Sequence, residues 1–64
     1  MAHKILRLRS VTARTELSRS CIYRFVTLGK FPKPIRLGPR AVGWLEAEVE
    51  AWIEKRIAES RTGA

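Results

Sequence analysis

Apolar positions recur along this chain at two spacings, and the spacings divide it into elements. From Leu17 to Gly29 the interval is helical. Cys21, Ile22, Phe25, Val26 and Leu28 fall on one side, and Arg19, Ser20, Tyr23, Arg24 and Thr27 on the other. Ser18 stands where an N-cap is needed, since its hydroxyl can accept from a free N–H of the first turn. Leu17 and Ile22 have the spacing of a hydrophobic staple. Gly29 is placed to take the left-handed conformation that ends a helix. The pattern predicts a helix over 18–28.

A weaker helical pattern precedes it over about 9–16, with Ser10 as candidate cap and Val11 and Leu17 as its main apolar contacts. The link Thr15-Glu16-Leu17-Ser18 is so short that the two helices must meet at a steep angle, the geometry of a helix-turn-helix. Glu16 fits that turn poorly, because such turns often use glycine to take positive φ without strain. Ahead of this pair, Ile5, Leu6 and Leu8 lie among Lys4, Arg7 and Arg9 and read as a short extended lead-in. Beyond Gly29, Phe31-Pro32-Lys33-Pro34 cannot continue a helix, and Phe31 is expected to plug the base of the helix pair.

Alternation then predicts strands over about 34–37 and 41–44, joined through Gly38-Pro39 with Arg40 at or beside the tip. A two-stranded hairpin is marginal alone, so this one must pack on the helices, with Trp44 as anchor. From Leu45 to about residue 60 the period is helical again, with Leu45, Val49, Trp52, Ile53 and Ile57 on one face. Glu46, Glu50 and Glu54 line another face. Residues 60–64 read as a loose tail. The whole is expected to be one domain over 1–64, ordered over about 5–59, mainly α with a small β-hairpin in the order α-α-β-β-α.

Composition narrows what such a domain can do. The 64 residues, 45% hydrophobic and 30% charged, are those of a folded domain too small for a wide stability margin. One cysteine permits no internal disulfide, and no Cys/His cluster could hold a structural metal. His3 is the only histidine and has no evident catalytic partner, so no enzyme and no cofactor are expected. No stretch resembles a membrane span or a signal-peptide core. A lone thiol without an export signal fits the cytoplasm.

Charge changes the picture most. The net charge is +7, and it is segregated. Residues 1–44 carry ten Lys/Arg against Glu16 alone, a balance of +9, while 45–64 carry five Glu against three Lys/Arg, a balance of −2. A basic body with a mildly acidic last helix points to one polyanion-facing surface.

Three blocks in order make the chain resemble a known family. They are Ser18-Arg19-Ser20-Cys21-Ile22-Tyr23-Arg24, Gly29-Lys30-Phe31-Pro32-Lys33-Pro34, and Val42-Gly43-Trp44-Leu45, with Leu6 to Val11 and Trp52 beside them. Together they are similar to the AlpA family of small phage-type transcriptional regulators. That family is related to excisionases and to the winged helix-turn-helix domains of MerR-type proteins. The resemblance covers about residues 5–57. Glu16 and Cys21 depart from it, where glycine and threonine are usual. It implies a winged helix-turn-helix and a prophage or integrated-element setting. The protein would regulate transcription, for instance of an integrase gene, or act as an excisionase-like directionality factor that bends attachment-site DNA.

On this reading the partner is double-stranded DNA, and the bound protein sits on the nucleoid. Self-association and contact with integrase or RNA polymerase stay open as further partners. The second helix would enter the major groove with Ser18, Arg19, Ser20, Tyr23, Arg24 and Thr27 as its DNA-facing set. Lys30, Lys33, Arg36 and Arg40 would follow the backbone from the hairpin and its approach, unless they form only a solvated basic rim. Arg7, Arg9 and Arg14 are weaker candidates beside the first helix. Tyr23 has two readings, DNA contact or packing over Phe31. Trp44 and Trp52 are expected in the core rather than as base-stacking platforms, and Cys21 as a small core residue. Two other classes remain, an RNA or single-strand binder and a protein-interaction adaptor using the acidic helix face.

Overall fold

The lead-in is a strand. A computed structural model describes residues 3–62, and in it the elements run β1 (Ile5–Leu6), α1 (Leu8–Thr15), α2 (Arg19–Thr27), β2 (Ile35–Gly38), β3 (Ala41–Leu45) and α3 (Glu46–Thr62). The three strands form one antiparallel sheet in the order β1-β3-β2. What alternation predicts as a hairpin is therefore a three-stranded sheet, with β1 paired to the far edge of β3 through Ile5↔Leu45 and Leu6↔Trp44. Gly43 makes that approach possible. A Cβ there would stand 2.6 Å from Ile5 Cγ2 and 3.0 Å from the Leu6 carbonyl oxygen. The arrangement is a small winged helix-turn-helix, mainly helical with a β wing.

The core takes one side chain from almost every element. Leu6, Val11, Ile22, Phe31, Trp44 and Val49 are buried, and only β2 contributes none. Each such side chain is worth about 1.5–3 kcal/mol relative to an exposed one. Leu8, Leu17, Phe25, Val26, Val42, Trp52 and Ile53 pack around them. Phe31 sits edge-on to both tryptophans, with ring centroids 6.4 Å from Trp44 and 4.8 Å from Trp52. The Trp44 Nε1 donates to the Pro32 carbonyl at 2.8 Å, and the Trp52 Nε1 to the Lys30 carbonyl at 2.7 Å. Among the described residues no helix is long and apolar enough to cross a membrane.

The helix ends explain where the elements stop. Ser18 caps α2, its Oγ accepting from the Cys21 N–H at 3.1 Å. The other end closes with a pair of backbone bonds, Gly29 N–H to Val26 O at 3.0 Å and Lys30 N–H to Phe25 O at 2.8 Å. Gly29 takes φ 74° there, the left-handed closure its position predicts. Ser10 does not cap α1. The helix begins two residues earlier, at Leu8, because Arg7 alone links it to β1, and Ser10 lies inside it. Leu28 is not in the apolar stripe but 56% exposed, since it sits on the C-cap, beyond the last turn for which the helical period holds. The last helix starts one residue later than its pattern predicts and continues to Thr62, taking in residues 60–62 of the expected tail; Gly63 and Ala64 lie outside the described residues.

Glu16 takes the conformation that glycine usually supplies. Its φ is 60° and its ψ 17°, the only non-glycine positive φ among the described residues, and its N–H closes α1 on the Thr12 carbonyl at 2.8 Å. A left-handed L-residue costs roughly 1–2 kcal/mol, while glycine adds up to about 1 kcal/mol of unfolded-state entropy. Glu16→Gly should therefore raise the unfolding free energy by about 0.5–1 kcal/mol in urea titration, and Glu16→Val should lower it. A lower midpoint for the glycine variant would show that the turn is not strained.

Candidate nucleic-acid interface

The cap and closure of α2 leave one of its faces outside. Ser20, Tyr23, Arg24 and Thr27 follow one another at i, i+3, i+4 and i+7, and all four are exposed. The Thr27 hydroxyl donates back to the Tyr23 carbonyl at 3.0 Å. Ser18 uses its hydroxyl for the cap, so in this conformation that oxygen is already committed to the helix. Tyr23 does not pack on Phe31. Its ring lies 6.3 Å from that of Trp44, tilted by 56°, and the residue remains 39% exposed.

Beside this face runs a shallow groove of about 320 Å³, lined by Arg7, Arg9, Arg19, Tyr23, Arg40 and the apolar floor of Leu8 and Val42. Four arginines reach it from four places: the β1–α1 link, α1, the start of α2, and the β2–β3 turn. No carboxylate lines it. Arg36 pairs across the sheet with Val42, so it occupies the groove's side of the wing. A register shift between Arg36 and Gly38 leaves Leu37 44% exposed. Like charges held together in this way repel one another, and a bound polyanion relieves the repulsion.

Arg14 belongs elsewhere. Its guanidinium turns toward α3, 3.0 Å from Glu46 Oε2 and 2.8 Å from Glu50 Oε1, with Lys4 Nζ a further 3.9 Å from Glu46 Oε2. The first helix thus divides its arginines between two sides, Arg9 on the groove and Arg14 on the acidic helix. The same pairs occupy much of the Glu46/Glu50 face that could otherwise meet a partner. Lys33 is exposed on the segment before β2. Lys30 is not in the groove. It lies past the far end of α2, where Gly29, Lys30, Trp52, Lys55, Arg56 and Glu59 line a separate depression.

Arg7 and Arg9, the weaker candidates beside the first helix, line the same groove as Arg19 and Arg40. Lys55 and Arg56, which the sequence did not single out, line the depression around Lys30. For Arg7 the signal is burial of its neighbours, since Leu6 enters the core and Leu8 the groove floor. No periodic pattern connects residues 7–9 with 40. Only the β1–β3 pairing does.

The family model for the prophage CP4-57 regulatory protein (AlpA) matches residues 4–57. The chain belongs to the AlpA family. Among AlpA-like relatives, an uncharacterised protein of Enterobacteria phage P4, ORF88, is 42% identical over 60 residues, covering 94% of this chain and 68% of that protein. The DNA-binding transcriptional activator AlpA of Escherichia coli K12 is 38% identical over 61 residues, covering 86% of this chain and 87% of that protein. The matched span contains all six core residues and all four groove arginines.

The division of arginines can be checked without any assigned ligand. Arg9→Gln and Arg40→Gln should each elute from a heparin column at lower salt than the parent protein, whereas Arg14→Gln should elute close to it after allowance for one lost charge. Arg14→Gln should instead cost roughly 0.5–1 kcal/mol of stability at low salt, shrinking toward zero in 1 M NaCl, because its ion pairs are partly exposed and screened.

Proposed function

We propose that this protein is a sequence-specific, double-stranded DNA-binding transcriptional regulator of phage or prophage type. The observation that carries the reading is the exposed face of α2 lying beside a four-arginine groove that runs to the wing turn. In this reading α2 enters the major groove, where Arg24 and Arg19 meet base edges, Ser20 permits close approach and Tyr23 contacts a phosphate or a thymine methyl. Thr27 and the Ser18 backbone border the same face. Arg40, Arg36 and Lys33 hold phosphates along the wing, and Arg7 and Arg9 extend that contact onto the first helix. The activator named among the relatives supports transcription as the process served.

Duplex DNA is favoured over single strands by the placement of the rings. Phe31 and Trp44 are buried, Phe25 and Trp52 are half-buried, and Tyr23 is the only substantially exposed aromatic among the described residues. A single ring is too little for the stacking platform that single-strand binders use.

The test begins with a duplex selected by the protein from a random-sequence library. Arg24→Ala should weaken binding to that duplex about 5- to 150-fold, the range of a lost bidentate guanine contact of about 1–3 kcal/mol. Binding to random DNA should fall far less. Arg40→Ala should lower both affinities alike and reduce the slope of log K against log salt by about one unit. Equal losses on selected and random duplex for Arg24→Ala would remove the recognition role.

A further inference from the structure

The depression at the far end of α2 is basic, built and outside the groove. Lys30 follows the glycine closure of α2, and its backbone is held at both ends: its N–H donates to Phe25 O at 2.8 Å and its carbonyl accepts from Trp52 Nε1 at 2.7 Å. Lys55 stands on α3 in the same depression, three residues after Trp52. Arg56 is already engaged, its guanidinium 5.6 Å from the centre of the Trp52 ring and 3.7 Å from Glu59 Oε1. Lys30 and Lys55 have no ion-pair partner among the described residues. Two lysines thus face solvent at a helix C-terminus, an end that itself carries partial negative charge and does not attract anions unaided.

The two basic sites are set apart by the length of α2. Its nine residues span about 13 Å at about 1.5 Å per residue. The major groove of B-DNA is about 12 Å wide. A helix of this length laid across the groove brings one end to each sugar-phosphate strand. With the arginine groove at its start and the lysine pair at its end, each end meets a strand with cations of its own.

We infer that Lys30 and Lys55 form a second phosphate-binding site, which holds the DNA strand opposite the one held by Arg7, Arg9 and Arg40, so that α2 crosses the major groove rather than running along it. The inference rests on the duplex-binding reading above and adds the docking orientation. It gives α3, the acidic helix, a direct contact with DNA through its basic second half.

Two measurements test it on the full chain and the selected duplex. Lys30→Gln and Lys55→Gln should each lower the slope of log K against log salt by about one unit and leave the ranking of duplex sequences unchanged. For the second measurement, Cys21→Ser removes the native thiol, and an iron chelate that generates hydroxyl radicals is attached at Glu59→Cys or at Pro39→Cys beside the wing turn. The dominant cuts from the two positions should fall on opposite strands across one major groove. Dominant cuts on the same strand, or unchanged salt slopes for both lysine variants, would overturn the second site while leaving duplex binding intact. If the unaltered protein selects no duplex from the library, the underlying reading fails instead, and this inference fails with it.

Discussion

The fold depends on two indole N–H groups closing on three consecutive residues. Trp44 on β3 donates to the carbonyl of Pro32, Trp52 on α3 to that of Lys30, and the Phe31 ring between those carbonyls lies edge-on to both indoles. The segment leaving α2 has no helix or sheet to satisfy its backbone, and its prolines supply no N–H donors. Each tryptophan therefore contributes apolar area and an otherwise missing hydrogen-bond partner. Because the clasp fixes where α2 ends, it also fixes the direction in which the exposed face of α2 points. A nine-residue helix is too short to persist alone, being below the roughly 12–15 residues at which isolated helices become even marginal. The site is therefore only as rigid as this clasp.

The charge pattern has a structural cause as well as a functional one. All thirteen Lys/Arg residues are exposed, and the exception in behaviour is Arg14, which two glutamates draw toward α3. That pairing brings α1 and the start of α3 together on the side away from the groove. It also keeps Glu46 and Glu50 from opposing the groove's potential. A domain this small has little core to spend, so segregating opposite charges onto separate faces lets the same side chains brace the helices and leave one surface strongly positive. The second half of α3 breaks the acidic pattern with Lys55 and Arg56, where the helix passes the end of α2.

Much of this was legible in the sequence because the signals were local. Ser18 and Gly29 mark the ends of α2 through chemistry within three or four residues, and Trp44, Val49 and Phe31 declare burial by period and size. The parts that were not legible depend on contacts distant along the chain. The two-residue strand Ile5–Leu6 is too short to carry an alternation signal, and only its pairing with β3 makes it a strand. Ser10 looked like a cap because serine so often is one, but the register of α1 is set by where β1 stops. Glu16 offered two readings, strain or another form of turn, and the backbone adopts the left-handed one. As for the site, the polar face of α2 was visible from periodicity. Its joining to Arg7, Arg9 and Arg40 was not, since it requires the sheet.

That sheet is what turns scattered basic residues into a surface. Leu6 pairs with Trp44, so Arg7 begins α1 directly beside the strand that descends from Arg40. The close approach needs Gly43, where any side chain would meet Ile5 and the Leu6 carbonyl. The N-terminal strand is thus not an accessory to a helix-turn-helix with a wing. It fastens the first helix to the wing and holds two repelling clusters of guanidinium groups at one groove, at a cost to the free protein that a bound polyanion offsets. Affinity for a polyanion and stability of the β1–β3 pairing are in this way coupled. Whatever loosens β1 should weaken binding without touching a single arginine, and a ligand that fills the groove should in turn tighten the strand.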